Sequence, residues 1–184
     1  MKNGKILKIL LISGLLLSIS GNASAEKSKQ EVSSFTQKRI PRNLTSIGGG
    51  YAKEGVHIYY EGKRVEEATA SSFKNLGGGY AKDTWKVFYK GAVIKEATAS
   101  SFKSLRGKYA KDTWKVFYKG NVIKEAVASS FINLGGGYGK DTWKVFYKGR
   151  IVKEASSSSF EYDEEGGFAR DTWNVYHNGK VAKD

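Results

Sequence analysis

The sequence predicts an all-β chain, a tandem array of 29-residue β-meander repeats forming a solenoid-like or curved, sheet-like assembly. A fixed period, a recurrent hairpin slot and an alternation of side chains carry that prediction. Tyr51, Tyr80, Tyr109 and Tyr138 recur every 29 residues, and Phe168 follows 30 later. GGGYAKDTWKVFYKG at 77–91 returns as RGKYAKDTWKVFYKG at 106–120 and GGGYGKDTWKVFYKG at 135–149, with diverged copies at 48–62 and 166–179. The second half of the unit returns as well, as VIKEATASSFKSL at 93–105, VIKEAVASSFINL at 122–134 and IVKEASSSSFEYD at 151–163. A period of this size marks an array in which each unit buries its apolar surface on its neighbours. The first copy lacks Trp and the last stops early, as caps do. A small β-propeller is the alternative, disfavoured because 29 residues look short for a four-stranded blade.

The hairpin comes first among the elements. Asn178-Gly179 is a strong two-residue turn signal because both positions tolerate positive φ, and Lys90-Gly91, Lys119-Gly120 and Lys148-Gly149 fill the same slot. A two-residue loop sets Tyr89 opposite Ala92, Phe88 opposite Val93, Val87 opposite Ile94 and Lys86 opposite Lys95. Alternation then puts Trp85, Val87, Tyr89 and Ile94 on one face, expected to be the core, and Lys86, Phe88, Val93 and Lys95 on the other. On this reading Trp85, Trp114, Trp143 and Trp173 are partly buried ladder residues. Tyr80-Ala81-Lys82 forms a short third strand, and Asp83 starts a turn by accepting from amides further along. In the connector, Ser71-Ser72-Phe73 begins a helical or 3₁₀ turn that drops Phe73 and Leu76 into the junction between units. Gly77 and Gly79 become Arg106 and Lys108 in the next copy while the central glycine persists, so only the central position looks conformationally required.

The pattern Tyr-Ala-Lys-Asp, a turn, Val-Phe-Tyr-x-Gly, an aliphatic pair, then Ala and Ser-Phe resembles the DKNYY repeat family of bacterial exported proteins over about residues 40–184. Thr84-Trp85 stands where the family's name has Lys-Asn. The resemblance implies a repeat architecture and, because the family has no established biochemical activity, no particular reaction.

The N-terminus reads as a signal peptide at 1–25. Lys2, Lys5 and Lys8 precede the apolar stretch Ile9–Ile19, and Ala23-Ser24-Ala25 supplies small residues for cleavage. The apolar stretch is shorter than the ~20 residues of a spanning helix. No second apolar segment follows, so no integral membrane segment is expected after cleavage. Residues 26–39 read as a flexible lead and 40–184 as the repeat domain, with units near 48–76, 77–105, 106–134, 135–163 and a partial unit at 164–184. The sequence holds no cysteine, which removes disulfides, thiolate ligands and a cysteine nucleophile.

Few residues invite chemistry. The glycine runs lack the Gly-Lys-Ser/Thr ending of a phosphate loop. His57 and His177 sit in the outermost copies without clustered ligands, so neither a metal nor a cofactor is called for, and the acidic run Asp163-Glu164-Glu165 is read as a solvated loop. Asp83, Asp112, Asp141 and Asp171 recur once per unit, whereas catalytic carboxylates arise once in an asymmetric cleft, and no enzyme is expected. One pattern suits binding. Lys86 opposite Lys95, Lys115 opposite Lys124 and Lys144 opposite Lys153, with Phe88, Phe117 and Phe146 between the rows, would draw a basic, aromatic face down the array. Its partner would be an acidic cell-surface polymer or another envelope protein, with nucleic acid a lesser candidate. The competing reading is a solvated face, in which Glu96, Glu125 and Glu154 balance the second lysine row and the array serves as a spacer or scaffold. Either way the protein is expected to be exported, to the periplasm, the cell surface or the medium.

Overall fold

The computed structural model describes residues 43–182, so the expected signal peptide and the whole of the expected lead lie outside the described residues. Five four-stranded antiparallel sheets follow one another, each a simple meander in chain order. The first holds β1 (Thr45–Gly48), β2 (Tyr51–Glu54), β3 (His57–Tyr60) and β4 (Lys63–Arg64). The second holds β5 (Lys74–Gly77), β6 (Tyr80–Lys82), β7 (Val87–Tyr89) and β8 (Ala92–Val93). In the third are β9 (Lys103–Ser104), β10 (Tyr109–Lys111), β11 (Val116–Tyr118) and β12 (Asn121–Val122). The fourth comprises β13 (Ile132–Gly135), β14 (Tyr138–Lys140), β15 (Val145–Tyr147) and β16 (Arg150–Ile151). The fifth comprises β17 (Glu161–Asp163), β18 (Phe168–Arg170), β19 (Val175–His177) and β20 (Lys180–Val181).

The hairpin forms as its turn residues dictate. Phe88 pairs with Val93 and Tyr89 with Ala92. Lys90 and Gly91 take φ of 49° and 79°, the two positive values that the turn requires. Each unit has one strand more than expected, because Lys74–Gly77 is a strand paired forward onto Tyr80–Lys82. The glycine run makes the tight turn between them, with Gly77, Gly78 and Gly79 all at positive φ. The outer glycines are therefore used as well as the central one. Unit three escapes this demand by a local change: Arg106–Lys108 winds into a 3₁₀ turn, Gly107 keeps φ at 69°, and Lys108 itself takes 73°.

Both faces of the inner sheets are buried, where one had been expected to meet solvent. Tyr80, Val87 and Ile94 from one face of the second sheet pack with Ala110 and Phe117 from the opposite face of the third. The same contact joins Tyr51, Ile58 and Val65 to Ala81 and Phe88, and Tyr109, Val116 and Ile123 to Phe146. Phe102 drops into the junction as predicted, 5.5 Å from the Tyr80 ring and 5.4 Å from that of Phe117. Burying a phenylalanine is worth about 1.5–3 kcal/mol. Here that gain exists only when the neighbouring unit is present, which makes the units interdependent.

Polar groups fix how the units meet. The Tyr51 hydroxyl donates to the Gly79 carbonyl at 3.2 Å and accepts from the Gly91 amide at 3.0 Å, both in the next unit. Tyr80 repeats the clasp on Lys108 and Gly120, and Tyr109 on Gly137 and Gly149. Phe168, Val175 and Val181 of the fifth sheet are 36–49% exposed, so among the described residues no sheet covers that face and the five sheets form an open array rather than a closed propeller ring.

Candidate functional site

In units two to five the turn between the second and third strands is held by a carboxylate. Asp83 is buried; one of its carboxylate oxygens accepts from the amides of Trp85 and Lys86, each at 2.7 Å, and the other from the Thr69 amide at 2.8 Å. The Ser72 hydroxyl accepts from the Thr84 amide at 3.2 Å. Asp112, Asp141 and Asp171 do the same in their units. Burial raises the Asp171 carboxyl, but the amides of Ser156 and Trp173, the Tyr176 hydroxyl and the Asn174 amide outweigh it and hold it below the ordinary aspartate value. The recurrent aspartates thus serve the fold, as their repetition implied.

What these turns present is tryptophan. Trp85, Trp114, Trp143 and Trp173 are 73–79% exposed, and Val56 at the same position of unit one is 77% exposed. The expected burial of these tryptophans is overturned. Trp85 is in phase with Val87 and Tyr89, but it belongs to the Asp83 turn, ahead of the strand that begins at Val87. The pleat therefore does not carry its ring into the core. Each indole sits on the same turn of its sheet, so the four recur along one edge of the array.

The predicted lysine and phenylalanine face does not form. Phe88, Phe117 and Phe146 are wholly buried between units and cannot touch a ligand. The last strand of the second sheet ends at Val93, after which the chain turns through an Ala97 amide to Ile94 carbonyl bond, so no ladder sets Lys86 against Lys95. Lys86, Lys115 and Lys144 instead pair with Glu67, Glu96 and Glu125 of the preceding unit, at 2.7, 2.9 and 2.6 Å. The pairing to Lys86 holds the Glu67 carboxyl below its usual value. Lys95, Lys124 and Lys153 stand exposed in the turn after the last strand. Lys82, Lys111 and Lys140, by contrast, are structural: Lys111 donates to the carbonyls of Ala128 and Phe131 at 2.9 and 2.8 Å, and burial together with Lys103 pushes its ammonium down from the usual lysine value.

The acidic loop of unit five is also spent on its own turn, since Asp163 accepts from the amides of Glu165 and Gly166. Among the described residues no group of three His, Asp or Glu side chains could hold a metal ion, and no helix is long and apolar enough to cross a membrane.

The DKNYY family model matches residues 51–180, spanning all five sheets. The chain belongs to the DKNYY family. No curated protein and no solved structure matches it. In this DKNYY protein Thr84-Trp85 and its equivalents stand exposed on the turns that the aspartates pin.

Proposed function

We propose that this protein is an exported, non-catalytic binding or adhesion module of the cell envelope or extracellular space, which grips an extended cell-surface polymer along its tryptophan row. The observation that carries this reading is the exposure of four indoles on turns whose backbones are locked by aspartate carboxylates, three of them buried. Tryptophan left in water forgoes the burial that usually retains it, and it is strongly enriched among residues that dominate binding energy. A locked turn also reduces the ordering cost that a ligand would otherwise meet on binding. Each lysine of the Lys86 row on this edge is paired with a glutamate of the unit before, and the flat indole faces suit stacking on sugar rings in a glycan chain.

Fluorescence titration of the protein with purified envelope glycans tests the reading. In the free protein the emission should be water-like and readily quenched, shifting to the blue as glycan binds. Replacing Trp114 and Trp143 with alanine should weaken binding by about tenfold per ring, roughly 1.4 kcal/mol each, without lowering thermal stability. Binding that survives the double substitution unchanged would leave the array as a spacer without a dedicated ligand face.

A further inference from the structure

A second repeated edge lies at the hairpin tips, at the other end of the strands that follow the tryptophan turns. Between the tips of units three, four and five runs a groove of roughly 470 Å³ lined by Lys119, Lys148, Arg150 and Lys180 together with Tyr118 and Tyr147. No carboxylate lines it, and among the described residues none of its four cations is in an ion pair. The tryptophan edge shows the contrast, since there each lysine of the Lys86 row is matched by a glutamate from the unit before.

The backbone adds an independent argument. Lys119 and Lys148 sit at φ of 49° and 50°, a region that suits glycine and asparagine far better than lysine, and unit five places Asn178 in this same slot at 52°. Unit one has Glu61 there at 46°, so the turn does not itself demand a cation. Residues held in disfavoured backbone conformations concentrate where they serve a site. The tips are also fixed in place, because the amides of Gly120, Gly149 and Gly179 donate to the hydroxyls of Tyr80, Tyr109 and Tyr138. The Lys148 ammonium lies 4.7 Å from the centre of the Tyr147 ring, with its stem along the groove wall.

We propose that this groove binds a polyanion bearing tetrahedral oxyanions, phosphate or sulfate, laid across the tips of units three to five. Cations distributed over three units ~10 Å apart match a chain of repeated charges better than a single small ion. The site is separate from the tryptophan row, and either can fail while the other stands.

The test measures anisotropy of fluorescein-labelled polyphosphate and, in a parallel arm, labelled heparin, against the full chain over a range of salt. Lys119→Asn with Lys148→Asn installs the residue that unit five already uses, so the fold should be retained or strengthened. Binding should fall at least ~10-fold at moderate salt, and the slope of log K against log salt should flatten by about two. Arg150→Gln with Lys180→Gln, which touches no positive-φ position, should give a loss of the same order. Lys74→Gln with Lys103→Gln removes equal charge from exposed edge strands and should cost less than ~3-fold. Preference for one arm assigns the oxyanion as phosphate or sulfate. Equal losses in the tip and edge-strand variants, no salt-dependent binding in either arm, or full competition by inorganic phosphate at matched phosphate concentration would each overturn the proposal.

Discussion

Tyr109→Phe deletes one oxygen atom and tests what joins the units. The ring is fully buried and stays so, which keeps the apolar contribution in place. The hydroxyl is lost from two bonds, to the Gly137 carbonyl and from the Gly149 amide, both at 3.0 Å and both in the next unit. The Gly137 carbonyl keeps the Lys148 amide at 2.7 Å, so the penalty of an unmet group falls on the Gly149 N–H. Two net hydrogen bonds at about 0.5–1.5 kcal/mol each, with about 1 kcal/mol or more for the stranded amide, give a loss of about 2–4 kcal/mol. Urea unfolding followed by circular dichroism measures it, and the slope should fall if the junction between units three and four melts before the rest. Tyr118→Phe is the comparison, because that half-buried tyrosine reaches no neighbouring unit through its hydroxyl and its loss should cost under ~0.5 kcal/mol. If Tyr109→Phe costs no more than Tyr118→Phe, the tyrosine clasp does not hold the array together.

Lys111→Met should destabilise by about 1.5–3 kcal/mol despite keeping the aliphatic stem, because it strands the Ala128 and Phe131 carbonyls that the ammonium serves; thermal unfolding checks this, and a neutral result would place Lys111 among the ordinary surface lysines. Alkaline pH should unfold the array as its clasps ionise. Burial pushes Tyr51 up to about 12, against the Gly91 hydrogen bond that lowers it, and pushes Tyr80 and Tyr109 higher still. A raised tyrosine pKa means stability that is intact below the unfolded value near 10 and is lost as pH rises through the folded one. Tyrosinate absorbance should therefore appear together with loss of the β-sheet signal between about pH 10 and 12; ionisation of all tyrosines near 10 with the sheets intact would contradict the clasp.

The hairpin register was legible because a two-residue turn leaves no freedom, so Lys90-Gly91 alone set Phe88 against Val93. The junction role of Phe102 was legible from its fixed place after a run of small residues. The fourth strand was not, since Lys74-Asn75-Leu76 runs straight into glycines that read as a loop and in fact build its turn. The error about the binding face has one cause: each strand was assigned one buried face. Val87-Phe88-Tyr89 is apolar at every position, the mark of a strand covered on both sides, and that run already argued against an exposed Phe88. The tryptophans were misplaced by the opposite oversight, a strand alternation carried back past Asp83 into a turn where it no longer applies. Ion pairing across units was invisible in sequence because the partners, Lys86 and Glu67, are 19 residues apart.

The fifth unit exchanges the groups that join the other units and keeps its tryptophan. Phe168 takes the place of the clasping tyrosine. Asn174 replaces the lysine that would have paired with Glu154, and its side chain bonds the Tyr176 hydroxyl instead. Tyr176 in turn reaches both Asp171 and the Glu154 carbonyl, tightening the terminal turn from inside. These changes exchange the groups that join neighbouring units elsewhere while leaving Trp173 as exposed as its counterparts. Folding alone gives little reason to keep a ring so exposed. A polymer that contacts all four rings turns each later contact into an intramolecular one, so four weak platforms hold more tightly than any single strong one of the same size. On that arithmetic, retaining Trp173 on a unit that lacks the clasping tyrosine and the row lysine is worth more to a binding edge than to a rod.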